Sequence, residues 1–199
     1  MNLSVVKTLI GLNVIVYLMQ NAVGNTIALN FALWPLQPIG GQSLFQPWQL
    51  ITQAFLHGSV PHLAFNMLGL WIFGHEIEQT QGPRRFLTLY FSSVIAAAIA
   101  QLFVPGWLGL SPAPTVGASG GVFGLLLAFA VFFPKRKVVP LIPPIPMPAW
   151  LFATSYAAIE LYLGVTGTQA GVAHFAHLGG MVGGGIVLYR WYQPGGRRR

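Results

Sequence analysis

A chain of 199 residues is long enough for one compact domain, and its composition decides what that domain faces. Hydrophobic residues make up 54% and charged residues only 7%, against about 25% charged in a soluble domain, which excludes a water-soluble globule and points to a surface that meets lipid. The net charge of +7 would suit a nucleic-acid binder, but the charges lie where a membrane topology needs them, and the absence of cysteine removes disulfides, thiolate metal sites and a cysteine nucleophile.

Six apolar segments follow one another. The first, Val5 to Ala22, lacks a small-x-small cleavage site and reads as a retained helix, not a signal peptide. The uncharged connection 23–47 is long for a loop. With Trp34, Leu36 and Phe45 it is expected to lie partly in the interface, Trp34 and Trp48 at headgroup depth. The second segment, Val60 to Ile77, has His57, His62 and Asn66 around its start, and the third runs from Phe86 to Val104. Gly117-Ala118-Ser119-Gly120-Gly121 opens the fourth, which ends at Pro134. Pro140, Pro143, Pro144, Pro146 and Pro148 then forbid helix and predict a stiff extended connection. The fifth segment, Pro148 to Val165, carries Glu160 with no evident partner, and the sixth, Val172 to Tyr192, begins with His174 and His177.

The ten Lys and Arg residues fix the sidedness. Lys7, Arg84, Arg85, Lys135, Arg136, Lys137, Arg190, Arg197, Arg198 and Arg199 all fall in alternate connections or at the two ends of the chain. The positive-inside rule then puts both termini in the cytoplasm. The expected fold is all-α: one domain, residues 1–199, of six transmembrane helices, with 193–199 as a basic cytoplasmic tail anchored at an anionic leaflet.

Polar groups inside a bilayer are expensive and mark function by default. Ser119 is 16 residues from Lys135, His62 16 from Glu78, and His177 13 from Arg190. At about 1.5 Å per residue, all three lie roughly 20–24 Å above the cytoplasmic boundary of a core about 30 Å thick. Three helices thus bring one Ser and two His to a common depth. A serine hydroxyl becomes a nucleophile only when a base takes its proton, and imidazole is the usual base. The chain has no Asp, and its acids are Glu76, Glu78 and Glu160. A Ser-His-Asp triad is therefore excluded, Glu160 is not expected to complete one, and a Ser-His dyad remains, with either His177 or His174 as base. Ser119 starts a helix after a glycine turn, where free N–H groups and the helix dipole can hold an oxyanion. His62 and Asn66, four residues apart, share a face and could add donors, or could simply be interhelical hydrogen-bonding groups.

Gly117-x-Ser119-Gly120 opening a helix, His62-x-x-x-Asn66 upstream, and Ala176-His177-x-x-Gly180-x-x-x-Gly184 in the last span together resemble the rhomboid family of intramembrane serine proteases. The resemblance covers spans two to six in order and spacing. It implies Ser119 as nucleophile, His177 as general base, and an oxyanion hole of His62, Asn66 and the Ser119 backbone N–H. It implies that Gly180 and Gly184 let span six pack on span four, and that Glu78 and Gly82 are structural. Two positions depart from the family pattern: Trp48-Gln49 replaces a frequent Trp-Arg, removing the arginine's contacts in the first outer loop, and Phe123 stands where a tyrosine is common, keeping a ring for His177 but no hydroxyl.

The function this implies is hydrolysis of transmembrane segments of substrate proteins near the outer face, without a cofactor. Spans two and five would flank lateral access, and the first outer loop or the one after span five would be the cap. The small size and the resemblance suggest a bacterial inner membrane; no oligomeric state follows. Two alternatives remain: a catalytically silent rhomboid-like binder of transmembrane helices, and a small proton or solute transporter. A metal site built from His57, His62, His174 and His177 is not expected, because no carboxylate lies near them in the sequence, and His75-Glu76 lacks the second histidine of a zinc-protease motif at Gln79.

Overall fold

The computed structural model describes residues 4–38, 41–111, 113–141, 143–168 and 171–193, so the expected basic tail falls almost wholly outside the described residues. Its first helix, α1 (Val5–Val23), is closed by a distant residue. The Glu78 carboxylate accepts the Ser4 hydroxyl at 2.6 Å and the N–H groups of Val5 and Val6 at 2.7 and 3.1 Å. An anion at the positive end of a helix satisfies N–H groups that the helix itself cannot. Hydrogen bonding from Ser4, Val6 and Val5 outweighs burial and holds the Glu78 carboxyl below its ordinary value.

Gly24, at φ 74°, ends α1 and starts the short α2 (Asn25–Phe31), so part of the long first connection is helical. Buried Gln49, at the start of α3 (Gln49–Thr52), ties that connection together. Its amide donates to the carbonyls of Asn30 and Leu44 and accepts from the Trp34 N–H. Glutamine thus supplies loop contacts of its own at the position where the resembled pattern often has arginine.

Ser59 caps α4 (Val60–Gly69), with Pro61 in the first turn where its missing N–H costs nothing. A π turn at Leu70–Gly74 carries the helix into α5 (His75–Gln81), so the second segment runs four residues beyond its expected end. Gly82, at φ 81°, then breaks the chain and Pro83 starts α6 (Pro83–Trp107). The remaining helices are α7 (Ser119–Phe132), α8 (Ala149–Thr166) and α9 (His174–Tyr192). The proline-rich connection is not a straight spacer. Lys137–Val138 (β1) pairs antiparallel with Met147–Pro148 (β2), so the segment doubles back and returns α8 beside α7.

α6, α7 and α9 form the centre, with α8 against α7 and α9. Two described helices, Val5–Val23 and Pro83–Trp107, are long and apolar enough to cross a membrane by length and composition. Outward faces are apolar as well: Leu12, Ile15 and Met19 on α1, and Val182, Ile186 and Tyr189 on α9, recur at helical spacing and are exposed. Contiguous exposed apolar surface of this kind suits lipid.

Candidate active site

Ser119 is the first residue of α7, and no side chain caps that helix. The amides of its first turn are therefore open at the serine. Gly117, two residues earlier, has φ 129°, and its N–H is held by the Gln53 carbonyl at 2.9 Å. His177 lies in the first turn of α9, and its Nε2 is 2.9 Å from Ser119 Oγ. Phe123, one turn below Ser119, stacks on the His177 ring with centroids 4.3 Å apart and planes 4° from parallel. The ring is thus fixed by a hydroxyl at its edge and an aromatic on its face.

Glycines set this distance. A Cβ on Gly180 would collide with the Gly120 carbonyl, and one on Gly184 would lie 3.1 Å from the Gly124 Cα. With no side chains between them, α7 and α9 meet backbone to backbone just below the Ser119–His177 contact.

His62 approaches from α4. Its Nδ1 accepts a long hydrogen bond from the Gly58 N–H at 3.4 Å, which leaves the ring proton on Nε2. That nitrogen faces the turn before Ser119: a Cβ on Gly117 would lie 2.8 Å from His62 Nε2 and 3.7 Å from Ser119 Oγ. Only glycine fits, both for the backbone angle and for the histidine. Asn66 is buried one turn below, where its amide donates to the His62 carbonyl at 2.9 Å and its Oδ1 has no protein partner. Ser119, His177, Phe123, Gly117 and His62 are therefore brought together directly, and Asn66 joins through His62. His57 sits behind His62, ring edge to face at 5.1 Å, with its backbone held at both polar groups by Gln20. Burial, and His62 beside it, lower the His57 pKa to about 4, so it is neutral.

Glu160 overturns one sequence expectation. It has partners, and they are the two histidines of α9: one carboxylate oxygen lies 2.6 Å from His174 Nδ1 and 3.0 Å from His177 Nδ1. The His174 contact is a hydrogen bond, whereas the His177 N–H direction is poorly aligned with the oxygen despite the short separation. The cause is the α8–α9 turn. Gly167, in the left-handed region, ends α8, and Gly164 is close enough to His174 Cβ (3.1 Å from a built Cβ) that any side chain there would hold α9 away. The legible signal was an acid in an apolar segment with glycine four residues later; the partners needed the tertiary fold.

Of the four histidines from which no metal site was expected, His174 and His177 do have a carboxylate beside them, that of Glu160. Ligand atoms of Glu160, His174 and His177 lie within 4.8 Å of one another. A divalent ion could be held there by one oxygen and two nitrogens, but only by displacing the protons that His174 Nδ1 and His177 Nδ1 turn toward Glu160.

The chain also matches known proteins over most of its length. The Rhomboid domain profile matches residues 44–193. The chain is 36% identical to "Rhomboid protein 1, mitochondrial" of Saccharomyces cerevisiae over 72% of its length and 41% of that protein. It is 34% identical to "Rhomboid protease GluP" of Bacillus subtilis over 69% of its length and 24% of that protein. It is also 27% identical to "Rhomboid protease GlpG" of Salmonella typhi, over 57% and 38%. The chain belongs to the rhomboid family and, with its composition, is an integral membrane protein. It spans less than half the length of these relatives.

Proposed function

We propose that the chain is an intramembrane serine endopeptidase that cleaves transmembrane segments of membrane proteins near the outer face of the bilayer. The observation that carries this reading is the 2.9 Å contact between Ser119 Oγ and His177 Nε2 at the uncapped start of α7. The names of two of the relatives, both "Rhomboid protease", support it. The charge alternation supports six crossings in one domain, with both termini cytoplasmic.

A substrate helix reaches the site laterally and unwinds there, because an intact helix hides its carbonyls in its own hydrogen bonds. Ser119 Oγ attacks the exposed carbonyl carbon while its proton passes to His177 Nε2. The developing oxyanion is received by the Ser119 N–H, by His62 Nε2–H and by the second N–H of the Asn66 amide, the first being held by the His62 carbonyl. Donors of this kind contribute about 10²–10³ in rate each. The amine then leaves with the proton from His177, and water releases the acyl group by the same steps in reverse.

Labelling of the detergent-solubilised protein with a fluorophosphonate serine probe, mapped by mass spectrometry, tests the reading without knowledge of a substrate. The expected adduct is on Ser119 and is lost in Ser119→Ala and His177→Ala. A folded wild-type chain that takes no adduct would overturn it in favour of a rhomboid-like protein that binds helices without cutting them.

A further inference from the structure

We propose that Glu160 is the third member of the site: a positioning residue on α8 that sets the His177 tautomer, itself held in place by His174. This rests on Ser119 and His177 acting as proposed above.

A histidine can accept from Ser119 at Nε2 only if its ring proton is on Nδ1. His177 Nδ1 is buried, and the acceptor within reach is Glu160 Oε2 at 3.0 Å. When Nε2 takes the serine proton, the ring becomes a cation inside an apolar bundle, a costly state without a counter-charge. The Glu160 carboxylate is that counter-charge. It draws no proton; it keeps Nδ1–H in place and stabilises the imidazolium.

The resting alignment is imperfect, and here His174 matters. Its Nδ1–H donates to the same Glu160 oxygen at 2.6 Å. That bond leaves the oxygen beside His177, where a small ring rotation completes the second bond. Contacts of this kind tighten once substrate is bound. A tie between α8 and α9 alone would need one histidine, and the bond to His174 already makes it. The placement of one carboxylate oxygen between two Nδ1 atoms, one on the ring that contacts the serine, is what a purely structural pair does not require.

The experiment uses the whole chain in detergent and reads the second-order rate of fluorophosphonate labelling at Ser119. Glu160→Gln is expected to lower it on the order of 10²-fold or more, because an amide can donate to Nδ1 and so stabilise the wrong tautomer. Glu160→Asp is expected to recover part of that loss. On a transmembrane substrate, kcat should fall with KM unchanged. Glu160→Gln labelling within about twofold of wild type on folded protein would overturn the proposal. A second measurement does not depend on the variant folding. Ring ¹⁵N shifts of His177 in the wild type should show Nδ1–H predominating at neutral pH, and an Nε2–H form would overturn the proposal. If the wild-type chain itself takes no label, the serine reading has failed and this one falls with it. Wild-type labelling with unaffected Glu160→Gln defeats this one alone.

Discussion

The seam between α7 and α9 and the outer connection before α4 are held by opposite means. At the seam, Gly120, Gly124, Gly180 and Gly184 bring backbones into contact, so the Ser119–His177 distance depends on main-chain positions that no side chain can adjust. In the connection, one glutamine gathers strands of loop through Asn30, Leu44 and Trp34, and a different long polar side chain could do the same. Geometry fixed by backbone admits few solutions, whereas loops tied by side chains admit many.

Breaking the seam should therefore cost most. Gly180→Ala places a Cβ against the Gly120 carbonyl, and overpacking of this kind costs about 1–3 kcal/mol. A shift of about 1 Å between Ser119 and His177 lowers reactivity about 10²-fold. Fluorophosphonate labelling together with thermal unfolding checks both effects. His62→Ala removes the Nε2 donor beside Gly117 and is expected to lower kcat on a transmembrane substrate about 10²-fold with stability nearly kept. Phe123→Leu keeps an apolar side chain but loses the ring stack, about 0.5–1.5 kcal/mol, which should appear as a labelling loss of about tenfold.

The smallest effect on chemistry is expected far from the seam. Glu78→Gln weakens the closure of α1 and should cost about 1 kcal/mol of stability, leaving Ser119 labelling unchanged. The Glu78 carboxyl is lowered in the folded protein from 4.5, so its stabilisation is present above that pH and is lost as pH falls through the lower folded value. The unfolding temperatures of wild type and Glu78→Gln should therefore differ at neutral pH and converge in acid. A gap that persists in acid would show that the carboxylate's charge is not what closes α1.

Helix positions were legible because apolar runs here are bounded by residues with strong backbone preferences. Ser59 with Pro61, Gly82 with Pro83, and Gly117 before Ser119 each mark a boundary that the structure keeps within a few residues. The π turn at Leu70–Gly74 was not legible, since a run of Leu, Trp, Ile and Phe reads the same in any helix register. Nor was the proline-rich hairpin, whose pairing joins Lys137 to Pro148 and Val138 to Met147 across the prolines. In the site, Ser119, His62 and His177 could be read together from depth, which is local arithmetic. Glu160 could not, because its depth says nothing of which neighbouring helix it faces; that follows from α8 and α9 folding against each other across Gly164.

The closure of α1 by Glu78 has a consequence for how the protein is made. The two partners are more than seventy residues apart, so on the ribosome the start of α1 is synthesised long before the carboxylate that completes it. Until residue 78 emerges, the first amides of α1 lack this acceptor and rely on water or lipid headgroups. Docking of Glu78 joins the start of the first helix to the end of the second only after both have been made, and a truncation series stopping before and after residue 78 would time that step.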